Sequence, residues 1–391
     1  MALVLVVVLA GVFAVALSGN KSTTTKSSST TSSSNTSSTN SLSGCSVEAG
    51  TTIVVCSSST SSHSTTGFNL SQPIGAAFDP TNGELYVTNN FTNSVSVINV
   101  ASGTFVKTIG VGNDPAQAAY DPVNGNVYVS NNGSSTVTAI DTTTDTVLAT
   151  IETGGLRPDG IAVDTKDNCL YVAEHGNSVG GKDVTVINAT TNKYLASVQG
   201  TVWTPTDAIY DQANDVVYAT TGGSDVMVIN TTTNMVTKLV KVGNEPRGIA
   251  LNPNNGYLYV ANTLSGTISV ISTLKNNTVI DTINVSSGGI LSVPYLVGFD
   301  PANGLIMVSN DYASGVNVIN GTTLGSVVST GFQSEPAAMA FDSSDNSMYV
   351  VGHATSAIVG ISQALKATYL APPTSSSGSA TSTQSSVNLG D

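Results

Sequence analysis

Short runs of three adjacent apolar residues return at a steady interval along the chain: Leu85-Tyr86-Val87, Val127-Tyr128-Val129, Leu170-Tyr171-Val172, Val217-Tyr218-Ala219, Leu258-Tyr259-Val260, Ile306-Met307-Val308 and Met348-Tyr349-Val350. Side chains of a strand alternate between its faces, so a strand apolar at every position is covered on both. Ahead of each run a short stretch of small apolar residues follows a proline, as in Gly75–Phe78 and Gly248–Leu251. The prolines are Pro73, Pro115, Pro158, Pro205, Pro246, Pro294 and Pro336, at spacings of 42, 43, 47, 41, 48 and 42 residues. Behind each run comes a third apolar segment: Val95–Ile98, Val137–Ile140, Val184–Ile187, Val226–Ile229, Ile268–Ile271, Val316–Ile319 and Ile358–Ile361. A fourth, more variable segment includes Phe105–Ile109, Val147–Ile151 and Val279–Ile283, and Ala367–Leu370 completes the last copy.

The first two segments of a copy are joined by a turn such as Asp79-Pro80-Thr81-Asn82-Gly83, Asp121-Pro122-Val123-Asn124-Gly125 or Asp300–Gly304. An aspartate there bonds the backbone two residues on, Pro presets φ, and Asn-Gly accepts positive φ, which together predict an antiparallel hairpin. The same aspartates could be read as calcium ligands, but their place, once per hairpin, is explained by turn chemistry. Seven copies of four antiparallel strands at this period predict an all-β fold, a seven-bladed β-propeller. A sandwich has no such long period.

Outside Pro73–Leu370 the character of the chain changes. Ala2–Leu17 is one apolar run, the length of a signal-peptide core or a short membrane anchor, followed rather than preceded by Lys21 and Lys26. Residues 1–17 are therefore expected to direct export, and cleaved signal and retained anchor both stay open. Residues 18–44, nearly all Ser, Thr and Asn, read as a disordered stalk, and 371–391 as a disordered Ser-rich tail. Residues 45–72 form a linker in which Thr51–Cys56 is the candidate for a strand that closes the ring. Cys45 and Cys56 flank a short segment and suit a local disulfide in an oxidising compartment, whereas Cys169 falls within a strand and reads as a buried free thiol. Ten Asn-x-Ser/Thr sequons add weak support for an exterior, glycosylated location.

Charge narrows the range of partners. Only 9% of residues are charged, and 25 acidic against 12 basic residues give a net charge of −13, which repels nucleic-acid phosphates. Nucleic acid is excluded as a partner, and no metal-ligand spacing or cofactor motif is present in the sequence. A monomeric propeller without a cofactor is expected.

Tyr86-Val87-Thr88-Asn89 spells the motif of the YVTN β-propeller repeats, with close variants at Tyr128-Val129-Ser130-Asn131 and Tyr259-Val260-Ala261-Asn262. From Pro73 to about Leu370 the chain resembles that family, which is associated with archaeal and bacterial surface layers. Its repeats are also similar to those of propeller lactonases, streptogramin lyases and the haem d1 nitrite reductase propeller. The resemblance implies a scaffold, on which the site decides the function. It also implies that the first strand of each copy lines a central axis. By strand alternation, the proline loops and the loops after the Tyr strands then share the face around the channel mouth.

That face collects Asp159, Glu174, His175, Asp207, Arg247, Asp311 and His353 as candidate binding residues, with no residue assigned a catalytic role. Asp159, Asp207 and Arg247 stand in the first two positions after the proline in three successive copies, and Glu174-His175 replaces the Asn pair at Asn89-Asn90 and Asn131-Asn132. His175 and His353 share one repeat position; two histidines fall short of the three or four ligands of a zinc centre. The leading expectation is an extracellular, non-catalytic module that contacts a cell-envelope protein, glycan or peptide. The alternative is a lactonase or lyase acting on a small molecule through Glu174, His175 or His353.

Overall fold

In the computed structural model, the described residues are 45–47, 54–56, 68–176, 183–200, 202–285, 293–311, 315–325, 328–330, 335–353 and 358–361. The chain divides into Met1–Leu42 and Ser43–Asp391, and every described residue lies in the second unit. The expectations for residues 1–44, for the C-terminal tail and for a strand at Ala367–Leu370 fall outside the described residues.

The fold is an all-β, seven-bladed propeller of antiparallel blades. The first strands are Pro73–Asp79, Pro115–Asp121, Pro158–Asp164, Pro205–Asp211, Pro246–Asn252, Val293–Asp300 and Pro336–Asp342. Within each blade the strands pair in sequence order, giving six four-stranded sheets and, among the described residues, three strands in the seventh. The first strands touch one another in order and the seventh touches the first, so they ring the axis. The second strands, Glu84–Asn89, Asn126–Asn131, Cys169–Glu174, Val216–Thr221, Tyr257–Asn262, Leu305–Asp311 and Ser347–Gly352, lie next outward. Between blades the core is a series of apolar layers, such as Tyr128, Val137, Ala139 and Ile151 of the second blade against Leu170, Val172 and Ile187 of the third.

The seam between the last and first blades is one of these layers: Ala338, Ala340, Val351 and Ile358 pack with Phe68, Ala76, Phe78, Leu85 and Val87. The described part of the expected closing strand, Val54–Cys56, instead pairs with Cys45–Val47 in a hairpin of its own, Cys45 directly opposite Cys56. A partner a few residues away costs less chain entropy to reach than one across the ring.

Local chemistry accounts for the hairpins. Each first strand ends in a buried Asp or Asn whose Oδ1 accepts the N–H two residues on, as in Thr81 to Asp79 and Val123 to Asp121 (both 2.8 Å). Gly83 and Gly125, both at φ 72°, then close the turn. The Tyr of the second strand does more than fill the core, because its hydroxyl crosses to the next blade. Tyr86 bonds Asp145 (2.8 Å), Tyr128 the carbonyl of Ala189 (3.0 Å), Tyr171 Asn234 (2.7 Å), Tyr218 Asn277 (2.7 Å) and Tyr259 the carbonyl of Gly321 (2.7 Å).

Candidate functional site at the channel mouth

Every first strand carries a β-bulge two or three residues after its proline end, where the register against the second strand slips. A bulge re-aims the adjoining side chains. Hydroxyls of the second strand hold several of these bulges and tie them to the neighbouring blade. Thr88 Oγ1 accepts from Gly75 N (2.7 Å) and donates to the Ala116 carbonyl (2.6 Å). Ser130 does the same between Gln117 N (3.0 Å) and the Asp159 carbonyl (2.6 Å), and Thr220 between Asp207 N (3.0 Å) and the Arg247 carbonyl (2.6 Å). Blades sit so close at the axis that a Cβ on Gly75 would lie 2.3 Å from the Ala116 carbonyl oxygen, and one on Gly248 2.5 Å from that of Tyr295. The backbone that carries Asp159 and Arg247 is therefore held from the preceding blade, and that of Asp207 from the second strand of its own blade.

Asp159 and Asp207 are half-buried and electrostatically coupled. Burial pushes Asp159 up to about 6, against the pull of Arg247 and Arg157. Burial and the Asp159 charge push Asp207 up to about 7, although Ala208 N (2.8 Å) and Ile249 N (3.3 Å) donate to its carboxylate. Both groups thus change charge near neutrality, where proton exchange with a ligand is easiest. Among the described residues the Asp159 carboxyl makes no hydrogen bond, which leaves it open to a donor.

Arg247 pairs with Glu245 rather than with Asp159: Nη2 and Nε lie 2.8 and 3.2 Å from Glu245 Oε1. Its guanidinium stands over the Tyr295 ring at 5.2 Å from the centroid, with Nη1 3.4 Å from the phenol oxygen. Tyr295 escaped the sequence reading, yet the signal was there: it follows Pro294 as Arg247 follows Pro246 and Asp159 follows Pro158. The third to sixth blades present an arc of acid, acid, cation and phenol, with Asp159, Arg247 and Tyr295 directly after the proline and Asp207 one residue further on, whereas the seventh, first and second blades present Ala337, Ile74 and Ala116 directly after it.

The remaining candidates do not join this arc. Glu174, expected among the mouth contacts, is fully buried inside the third blade and cannot touch a ligand. His175 and His353 do occupy equivalent positions, their amides donating to the carbonyls of Arg157 (3.0 Å) and Glu335 (2.8 Å). His353 Nδ1 faces Glu335 at 3.6 Å. No group of three or more His, Cys, Asp and Glu able to hold a metal occurs among the described residues. Asp311 ends the second strand of the sixth blade with its backbone opposite Val293; its side chain is outside the described residues. Cys169 is a free buried thiol that burial pushes up to about 11. Trp203, the single Trp of the chain, is exposed in the loop before Pro205 with its ring against Gly223.

A family model described as "Lactonase, 7-bladed beta-propeller" matches residues 104–288, just under half of the chain and including Asp159, Asp207 and Arg247. No curated protein matches the chain. Among solved structures, hydrazine synthase of Kuenenia stuttgartiensis is similar in fold, with a TM-score of 0.66 at 16% identity over 77% of this chain and 99% of that one. At that identity the likeness concerns the fold alone. Strand order, the closed ring of first strands and the matched family model together identify the chain as a seven-bladed β-propeller.

Proposed function

We propose that the protein is an exported, cell-surface binding module whose channel mouth takes a small, hydroxyl-rich ligand on the arc formed by Asp159, Asp207, Arg247 and Tyr295. The observation that carries this reading is the Asp159–Asp207 pair, two carboxyls on adjacent inner strands, both raised toward neutrality and one without a hydrogen bond among the described residues. Carboxyls poised this way accept or donate to hydroxyl groups, and Arg247 with Tyr295 adds a fixed donor surface. Trp203 offers an apolar plane at the edge of the same face. Export rests on the apolar run Ala2–Leu17 and the Ser/Thr tract behind it, and on the YVTN-type motif. Cys45 and Cys56, opposite each other in their hairpin, suit a disulfide in that setting.

Because Trp203 is the single Trp, its fluorescence reports on this face without interference. Titration with a panel of sugars and sugar lactones should change the emission of the wild type, and Asp207→Asn or Arg247→Ala should weaken the apparent affinity about tenfold, the loss expected for one charge-assisted hydrogen bond. No response to any member of the panel, or a response whose affinity is unaltered in both variants, would refute the arc as a ligand site.

A second reading is supported by the lactonase family model over residues 104–288. Asp159 or Asp207 would act as general base for water attacking a lactone carbonyl, with Arg247 stabilising the oxyanion. Turnover of a lactone by the wild type that is lost in both Asp→Asn variants would establish it.

A further inference from the structure

Five blade interfaces carry a polar tie at the turn end, and the interface that closes the ring does not make it. In four of the five, the Tyr hydroxyl of one blade meets a side chain held at positive φ in the turn between the third and fourth strands of the next. The acceptors are Asp145 (φ 53°, 2.8 Å), Asn192 (54°, 3.2 Å), Asn234 (51°, 2.7 Å) and Asn277 (51°, 2.7 Å). Beside the Tyr, in three interfaces, an asparagine from the turn between the first and second strands crosses as well. Asn82, Asn124 and Asn255 Nδ2 donate to the carbonyls of Thr142 (3.2 Å), Ala189 (3.3 Å) and Gly321 (2.7 Å). The sixth blade has Met307 in place of the Tyr.

At the seam between the seventh and first blades the Tyr is kept and both of its helpers are changed. Gly103 (φ 64°) stands at the position of Asp145 and offers no side-chain acceptor to Tyr349. Asp345 stands at the position of Asn82, Asn124 and Asn255, and a carboxylate has no N–H to send across. The Tyr349 hydroxyl therefore turns back and donates to Asp345 Oδ2 of its own blade (3.0 Å), while Asp345 Oδ1 accepts from Ser347 N (2.9 Å). Burial and the Asp345 charge push the phenol up, so it keeps its proton. Between the blades lies a cavity of about 180 Å³, bordered by Gly103, with Phe68, Ile98, Val100 and Ile358 as its apolar lining and Asp345 and Tyr349 as its polar one. Phe68, Ile98 and Ile358 are buried and Asp345 is exposed, so the cavity is apolar within and acidic at its opening. An apolar cavity of roughly 150 Å³ holds one benzene, which gives this one room for a ring and a short arm.

We propose that the seam cavity is a binding site for a small primary amine with an apolar body, whose ammonium supplies the N–H donors that this interface lacks and ties the seventh blade to the first. The chain presents acceptors on both sides of the gap. One is the Asp345 carboxylate, and the other is the carbonyl of Val100, the counterpart by position of the Thr142, Ala189 and Gly321 carbonyls that the asparagines reach elsewhere. The phenol is committed to Asp345, and none of the residues lining the cavity is a Lys or Arg. An ammonium has three N–H donors to divide between the two acceptors, its bond to a carboxylate is charge-assisted, and its apolar body covers Phe68, Ile98 and Ile358. The net charge of −13 favours a cation in the same sense. This site is separate from the arc of the third to sixth blades, at the other end of the blades. Because the bound amine bridges the last blade and the first, it stabilises the closed ring by mass action.

The test uses the full chain, with phenethylamine as the probe and phenethyl alcohol as its neutral counterpart. The amine should raise the thermal unfolding midpoint of the wild type, and the alcohol should need about tenfold more to do the same. No rise with the amine, or an equal rise with the alcohol, would overturn the proposal. Two variants then rebuild the tie from the chain itself. Asp345→Asn restores the crossing amide, and Gly103→Asn restores the acceptor at a φ that Asn192, Asn234 and Asn277 adopt in the other interfaces. Gly103→Asn should raise the midpoint without any amine, and both variants should lose about tenfold in amine affinity. An affinity unchanged in both would put the amine elsewhere, the acidic arc included, and the seam site would be wrong. A check that needs no variant is magnetisation transfer between the probe's ring protons and the methyl groups of Ile98 and Ile358. Contacts to both are expected, and bound amine without either contact would also overturn the assignment.

Discussion

The two ends of a blade follow different rules. At the turn end one chemistry recurs around the ring: a buried Asp or Asn caps the hairpin, and in five blades the Tyr hydroxyl crosses to the next blade. At the mouth end the residue after the proline is Ile74, Ala116, Asp159, Thr206, Arg247, Tyr295 and Ala337 in turn, with only alanine repeated. Chemistry that every blade shares serves the stacking of blades, which each interface needs equally. Chemistry confined to a few blades serves a site.

If this division holds, turn-end changes should cost stability and mouth-end changes should cost ligand binding. Tyr218→Ala, which empties a site 1% exposed and cuts the tie to Asn277, should cost about 3–5 kcal/mol by denaturant unfolding. A loss under about 1 kcal/mol would mean the layer collapses around the gap.

Next in size is a pH effect. Glu174 has a folded value above its ordinary 4.5, so its stabilisation is complete below pH 4.5 and is lost as pH rises through about 7. The loss should amount to on the order of 3 kcal/mol, read as a falling urea midpoint, and Glu174→Gln should remove it. Asp159 and Asp207 shift the same way and steepen the wild-type slope.

Gly248→Ala should cost about 1–3 kcal/mol, because the added carbon meets the Tyr295 backbone and the inner strands must part. Tyr128→Phe should lose about 1 kcal/mol, the worth of its bond to Ala189, with the core layer intact. The smallest change in stability is expected for Asp159→Asn, within about 0.5 kcal/mol of wild type at about pH 3, where the acid is protonated in the folded protein and largely so in the unfolded chain. Its effect should appear in ligand titrations, and a large loss of stability would place Asp159 among the structural residues.

Much of the fold was legible because its signals are local. The proline period, the Asp and Asn-Gly turns and the apolar triplets act within a few residues, so strand order followed from the chain alone. The same register located Asp159, Asp207 and Arg247. Glu174 was misplaced because its sequence position, at the mouth end of a strand, says nothing of whether the side chain turns outward or into the blade. The Tyr ties were invisible for a related reason: Tyr86 and Asp145 are 59 positions apart and meet only when two blades stack. Thr51–Cys56 carried a strand pattern, but a strand pattern does not name its partner, and the nearer one at Cys45–Val47 took it.

The sequence by itself determined the number of blades, the order of their strands and the end of each blade at which repetition gives way to variety, since these depend on short-range turn chemistry and period. Tertiary structure alone decided that Arg247 leans on Tyr295 and Glu245 instead of Asp159, that the bulges are stapled from the neighbouring blade, and that Glu174 stands without a hydrogen-bond donor among the described residues. Those outcomes depend on how closely seven wedges approach an axis, and on which atoms are left without water when they do.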